Sequence, residues 1–368
     1  MTPIFLISFV ALAAPLAWYY VSIRAHFGGR LTTAQKDAFR QSRQWTGDKF
    51  ENSSPTKIDL NVGSIPGLIR ANIQARKFRA PEHPLPVLPL DQERYLKEDT
   101  RPLFTWFGHS ALLLRLNGKN LLIDPMLGPD SSPIAPFATR RFSENTLDLI
   151  NQLPPIDAVL LTHDHYDHLD YESIKRLRPI VNTWLVALGT ARHLEAWGIP
   201  ADQITEFDWW QQAEFAGITL TFTPSRHFSG RGPFDRFQSL WGGWVFQTPQ
   251  YRIYWSGDGG YDTHFQEIGE QYGPFDWAFM ECGQYNELWR QIHLHPEEAV
   301  QAAIEAKANV AIPVHWGAFS LAVHPWREPV EWFVAEAEQK GLGFCTPRLG
   351  ETVVMGEEPG LKWWETTI

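Results

Sequence analysis

The sequence predicts an α/β (α+β) protein of stacked layers running from residue 101 to residue 368. Three observations predict it. Short apolar runs of strand length recur, helical stretches are interspersed among them, and His or Asp stands repeatedly where the runs end. The chain has 368 residues, 44% hydrophobic and 20% charged, enough to bury a large core and too apolar for a disordered protein. The two cysteines, Cys282 and Cys345, allow one long-range disulfide but no disulfide framework and no Cys-rich metal motif.

The first element is an apolar run, Pro3 to Ile23, 21 residues without a charge. A helix of about 20 residues crosses the hydrocarbon layer, so residues 1–23 are expected to form an uncleaved membrane anchor. Trp18, Tyr19 and Tyr20 stand where an interfacial aromatic belt would sit, and Arg24, Arg30, Lys36, Arg40 and Arg43 all follow the run. The positive-inside rule then places a single-pass protein with its body in the cytoplasm. A cleaved signal peptide is the competing reading, with small residues at Ala11-Leu12-Ala13 but no positive n-region. From Arg24 to Ala80 there are 11 Lys/Arg against 4 Asp/Glu, near +7. With −10 overall, the rest is near −17. The basic segment suits an anionic lipid surface, or is simply a solvated face. The acidic body argues against a nucleic-acid partner. Residues 24–100 read as a basic leader ending in a Pro-rich connector, Pro81 to Pro89, that wraps a domain surface.

Strands are expected at Leu103–Phe107, Ala111–Leu116 and Asn120–Ile123, with Asn117-Gly118 as a hairpin turn. Ala158–Leu161 is a buried strand, followed by a helix at Tyr171–Leu177, a strand at Thr183–Leu188 and a helix at Ala191–Trp197 stopped by Gly198. Ile218–Thr223, Gly243–Gln247 and Arg252–Ser256 continue the strands. Pro296–Ala308 is a helix with Pro at its start and Glu297 and Glu298 in its first turn. Asn309–Val314 is a buried strand and Glu328–Gly341 a last helix.

The chemistry concentrates in His163-x-His165-x-Asp167-His168, four possible metal ligands within six residues, directly after a strand. In extended backbone His163 and His165 point the same way and can share one metal. Asp167 and His168 lie beyond the turn and can serve a second. Further donors are candidates at strand ends: His227 after Thr219–Thr223, Asp258 after Arg252–Trp255, and His315 after Val310–Val314. Asp124, before Pro125, either orients a ligand imidazole or simply forms a turn.

This pattern resembles the metallo-β-lactamase superfamily. Within it the chain resembles the N-acylphosphatidylethanolamine phospholipase D family, through runs such as Thr105-Trp106-Phe107-Gly108-His109, His165-Tyr166-Asp167-His168-Leu169-Asp170-Tyr171, Asp208-Trp209-Trp210, Leu240-Trp241-Gly242 and His315-Trp316-Gly317. The resemblance implies an αβ/βα sandwich with the site at one edge between two sheets. It implies His163, His165 and His227 on one zinc, Asp167, His168 and His315 on another, and Asp258 bridging both together with a hydroxide. Other divalent metals accept the same donors. Asp167 could also take the proton of the attacking water. The resemblance places His293 near substrate; the family has Asp where this chain has His295, which leaves a surface residue, a helix cap or an altered pocket open. His109 reads as structural, and Trp289, Trp326, Trp363 and Trp364 as candidates for a membrane-facing rim.

The function so implied is a membrane-associated, zinc-dependent phosphodiesterase acting on N-acylphosphatidylethanolamine-like glycerophospholipids by attack of the bridging hydroxide, with a homodimer possible. The same fold also hosts hydrolases of lactones, thioesters and other phosphodiesters. A tethered scaffold with a vestigial site is a third reading, disfavoured because all seven expected ligands are present.

Overall fold

The computed structural model describes residues 20, 23–59, 62–97, 101–135, 138–232 and 234–366. One sheet is built from β1 (Leu103–Trp106), β2 (Leu112–Leu116), β3 (Lys119–Ile123), β4 (Ala158–Leu161), β5 (Trp184–Ala187) and β6 (Ile204–Phe207). The other contains β7 (Gln212–Phe215), β8 (Ile218–Thr223), β9 (Gly243–Gln247), β10 (Arg252–Trp255), β11 (Phe275–Glu281), β12 (Ala308–Val314) and β13 (Gly343–Phe344), while β14 (Thr352–Val354) returns to the edge of the first. The spatial orders are β14-β1-β2-β3-β4-β5-β6 and β13-β12-β11-β10-β9-β8-β7. Each sheet has an antiparallel half (β14 to β3, β7 to β10) and a parallel half (β3 to β6, β10 to β13).

Strand alternation explains the layering. Leu112, Leu114 and Leu116 of β2, with Leu121, Ile123, Ala158 and Leu160, enter a core shared with Phe222, Trp244, Trp255 and Phe279 of the second sheet. Their alternates Leu113, Leu122, Val159 and Leu161 face the other way, onto Ile174, Leu177 and Leu194 of the outer helices. Both faces of the strands are apolar because both are covered. The helices Pro296–Glu305 and Glu328–Lys340 cover the second sheet with Val300, Ala303, Val330 and Phe333. The β2–β3 turn uses Asn117 and Gly118, both at positive φ (48° and 74°), as a two-residue hairpin of matching twist requires.

The expected elements are present with end shifts of a residue or a few. Not anticipated were β6, β7, β11, β13, β14 and the Ile65–Ala75 and His264–Gln271 helices, among others. β11 reads Phe-Asp-Trp-Ala-Phe-Met-Glu, whose acids at both ends hide a buried parallel strand. Residues 24–100 do more than wrap the surface. Phe39, Trp45 and Phe50 form an aromatic triad inside the main core, and Leu90 and Tyr95 join the outer one. Their spacing follows neither strand nor helix period, so pattern alone could not place them. Gly28 and Gly29 lie against His193 and the Arg192 carbonyl, with no room for a Cβ.

Among the described residues no helix is long and apolar enough to cross a membrane. The anchor expected at residues 1–23 lies outside them but for Tyr20 and Ile23. Cys282 and Cys345 are free and buried, so the disulfide considered above is not formed. Trp326 and Trp364 are core residues and Trp363 packs on Trp316, which corrects their reading as rim candidates.

Candidate metal centre

Parallel strands bring their carboxyl ends to one edge of a sheet, so polar residues just past those ends converge. β4 delivers Thr162 to His168, β3 delivers Asp124, β10 delivers Asp258, β11 ends on Glu281, and β12 delivers His315. β8 supplies His227 from the facing antiparallel half. Gly257 (φ 62°) lets the chain turn into Asp258; a Cβ there would lie 2.1 Å from the Gly242 carbonyl oxygen. Asp124, His109 and His315 themselves sit at positive φ (40°, 55° and 67°), a conformation held in place by the surrounding packing.

The donors form two groups. His163 Nε2 lies 2.9 Å from His165 Nδ1, which lies 3.2 Å from His227 Nε2. In the second group His168 Nε2 is 3.4 Å from His315 Nε2, and Asp167 Oδ2 is 3.5 Å from His315 Nε2 and 3.8 Å from His168 Nε2. Asp258 Oδ2 lies between the groups, 3.0 and 3.1 Å from His315 and His168 and 3.9 and 4.0 Å from His227 and His163. Ligands around a tetrahedral ion with bonds of 2.0–2.1 Å stand about 3.3 Å apart. These spacings fit that set, and three imidazole nitrogens aimed at one another otherwise repel.

The outward nitrogens of His227, His168 and His163 are engaged, which fixes those rings, while His165 Nε2 is buried without a hydrogen-bond partner. His227 Nδ1 donates to the Ile292 carbonyl at 2.8 Å. His168 Nδ1 meets Asp124 Oδ2 at 3.0 Å, and the Asp124 carboxylate also accepts from Thr162 N–H and Oγ1. Asp124 thus orients His168, and the plain-turn alternative falls away. His163 Nδ1 is 3.0 Å from Thr162 Oγ1.

Burial, then the neighbouring imidazoles, hold His163 and His227 well below their ordinary pKa, so both rings are neutral, as ligation requires. Burial also opposes charge on His168, but Asp258, Asp167 and Asp124 outweigh it and raise its pKa to about 10. His315 is raised the same way, while Asp167 and Asp258 are lowered by the imidazoles despite burial.

Sequence reasoning missed several participants. His109 Nε2 bonds Asp167 Oδ2 at 2.8 Å, so the residue read as structural holds a candidate ligand. Glu281 accepts from the Gly259 N–H at 2.6 Å, pairs with His293 Nδ1 and lies 3.4 Å from His315 Nδ1. Its signal, an acid closing an apolar run, matches Asp124 and Asp258, but β11 itself was not recognised. Asn52 clamps the His227 backbone from both sides, Nδ2 to the carbonyl at 2.8 Å and Oδ1 from the N–H at 3.1 Å. His293 lines the cavity beside His227 and His315. His295 is buried at the head of the Pro296–Glu305 helix, its N–H donating to Glu298 at 3.1 Å, and is no surface residue. The cavity above the donors measures about 500 Å³.

Residues 119–316 match the family described as "Beta-lactamase superfamily domain". An uncharacterized protein of Mycobacterium tuberculosis is 40% identical over 330 residues, 88% of each chain. The N-acyl-phosphatidylethanolamine-hydrolyzing phospholipase D 1 of Caenorhabditis elegans is 33% identical over 336 residues, 83% of this chain and 92% of that one. Among solved structures, the metallo hydrolase Igni18 of Ignicoccus hospitalis superposes with a TM-score of 0.54 at 22% identity, over 69% of this chain and 98% of that one. With its two mixed sheets and the His/Asp cluster at their common edge, the chain belongs to the metallo-β-lactamase superfamily, as a hydrolase with a divalent-metal site.

Proposed function

We propose that the protein is a phosphoric diester hydrolase of the phospholipase D type, acting on N-acylphosphatidylethanolamine-like lipids at a membrane surface. The observation that carries this reading is the complete double donor set, His163, His165, His227, Asp167, His168, His315 and Asp258, at the floor of a cavity whose walls carry the apolar Ile58, Phe228, Trp289, Ile292 and Leu321 together with Arg236. Likeness to the nematode enzyme supports the substrate class. Two Zn²⁺ suit these donors, and iron or manganese would be accepted. Divalent cations held there would supply water ionised near neutral pH and charge neutralisation at a phosphoryl oxygen. The protein's own part is to fix the rings through Asp124, Ile292 and Thr162, to hold Asp167 through His109 as a carboxylate able to accept a proton, and to present His293 to substrate. A phosphatidic acid and an N-acylethanolamine are the products of cleavage.

The membrane side of the reading rests on the Ile65–Ala75 helix. Ile65, Ile69 and Ile73 recur every four residues and are 46, 55 and 69% exposed; Phe78 beyond the helix is 62% exposed. Arg70, Arg76 and Lys77 accompany them. A cleft lined by Ile65 and Ile69 shares Trp289 and Leu321 with the metal cavity. On the loop lining the cavity's other side, Phe234 is 92% exposed. An apolar stripe flanked by cations on an acidic protein is complementary to an anionic bilayer. Residues 1–23 would add the single-pass anchor, with the body cytoplasmic or, with a signal peptide, exported; no nucleic-acid partner is proposed, and a homodimer is open to light scattering.

The test is to incubate metal-analysed protein with N-acylphosphatidylethanolamine in mixed micelles and quantify N-acylethanolamine by mass spectrometry. Release is expected. No release from protein carrying about two metals per chain overturns the substrate and directs attention to lactones, thioesters and other phosphodiesters; protein that purifies without stoichiometric metal would instead indicate a vestigial site. A second expectation concerns I65Q/I69Q/I73Q. Each isoleucine loses on the order of 1 kcal/mol of lipid burial, so binding to phosphatidylglycerol vesicles should fall about a hundredfold in sedimentation. Turnover of the soluble bis(p-nitrophenyl) phosphate should be unchanged. Equal vesicle binding by the variant would remove this helix from the docking surface.

A further inference from the structure

The cavity wall carries a cation for which no ion pair is found among the described residues. Arg236 is the only Lys or Arg among the described residues lining the metal cavity. Its guanidinium stands 4.7 Å from the centre of the Phe228 ring and 5.0 Å from that of Phe237. Aromatic faces hold such a group in place without neutralising it. Burial alone moves its pKa, downward, with no carboxylate opposing the shift.

The neighbouring arginines differ. Arg226 lies 3.8 Å from Asp262 and donates to the Pro55 carbonyl. Arg192 pairs with Asp164, and Arg231 donates to the Asp164 and Leu169 carbonyls. The acid adjacent in sequence, Asp235, is committed elsewhere: its Oδ1 accepts from the N–H groups of Arg231 and Gly232 at 3.1 and 2.6 Å, and its Oδ2 lies 3.9 Å from Arg192. The loop is itself pinned, Gly230 N–H to Asp164 at 2.7 Å, Phe237 N–H to the Ser229 carbonyl at 2.9 Å and Phe50 N–H to the Phe237 carbonyl at 2.8 Å. Arg236 is therefore held at the cavity wall by a pinned loop, its exposed side chain lying against two aromatic rings. A charge so placed gains most from an anion that enters the cavity.

We propose that Arg236 is the substrate-positioning residue of this cavity, taking a non-bridging oxygen of the substrate's phosphodiester and holding the phosphorus over the His/Asp floor. This rests on the phosphodiesterase reading above. A neutral lactone or thioester would gain nothing from this cation, whereas a phosphodiester would.

The test compares wild type, R236Q and R236K at equal metal content. For R236Q, KM for bis(p-nitrophenyl) phosphate and for N-acylphosphatidylethanolamine should rise about 10- to 100-fold with kcat within threefold, and R236K should recover part of the loss. Inorganic phosphate, titrated calorimetrically into the same proteins, should bind R236Q about tenfold or more weakly. Unchanged KM and unchanged phosphate affinity in R236Q would overturn the proposal. If R236Q loses metal or its native circular dichroism, R236K decides: phosphate affinity between those of wild type and R236Q supports the anion contact, and full wild-type affinity and KM in R236A alongside it overturns it. Should the wild type fail on the lipid, the substrate reading falls alone, and the phosphate titration still judges Arg236.

Discussion

Asp258→Asn is expected to lower hydrolysis by about three orders of magnitude or more, on the scale of the several kcal/mol that metal ions contribute to such reactions. Among the described carboxylates Asp258 alone reaches both donor groups, with one oxygen within 3.0–4.0 Å of four imidazole nitrogens. Asparagine keeps the shape but removes the charge, and its amide nitrogen cannot accept. Elemental analysis should show less metal per chain, and initial rates on a soluble phosphodiester should show the loss. Activity above a tenth of wild type at full metal content would remove Asp258 from the bridging position. The metal-free proteins give an independent readout. His168, with a pKa raised from 6.5 to about 10, contributes stability that is complete below 6.5 and lost as pH rises through about 10. Asp258, lowered from 3.8, contributes stability that is present above 3.8 and lost as pH falls. The melting temperature of chelator-treated wild type should therefore exceed that of D258N most between roughly pH 4 and 6.5.

Asp164→Asn should destabilise the protein by about 3–5 kcal/mol, the cost of leaving a buried cation uncompensated. Asp164 is fully buried in the His163–His168 turn but points away from the donors. Its Oδ1 accepts from Gly230 N–H at 2.7 Å, and its Oδ2 from Ser239 Oγ at 2.5 Å, with Arg192 and His193 at 3.4 and 3.3 Å. It locks the ligand turn to the loop that carries Phe228 and Arg236, so metal retention should weaken as well. Urea unfolding in the presence of chelator isolates the fold's share. A loss below about 1 kcal/mol would mean that the network relaxes around a neutral partner.

The donor set was legible because its residues are local or mark strand ends. His163 to His168 lie within six positions, and His227, Asp258 and His315 each follow an apolar run. Asp124 was legible as a candidate, though only its bonds to Thr162 and His168 separated an orienting carboxylate from a turn. Short apolar runs likewise foretold β2 and β4, whose two faces meet different layers.

By itself the sequence determined most strands and helices of the hydrolase domain, the chemistry of the floor and the superfamily, since these depend on residue type and short spacing. Tertiary structure alone decided what surrounds the floor. Glu281 joined the site because β11 pairs between β10 and β12; Asn52 reached His227 across 175 positions; the aromatic triad Phe39, Trp45 and Phe50 turned a leader into core. Arg236 acquired its meaning only when Asp235, its neighbour in sequence, proved to be held by other groups. The physical reason is common to all four. Burial, the partner across a long loop and the missing counter-charge are properties of three-dimensional neighbours, and no local pattern of residues encodes them.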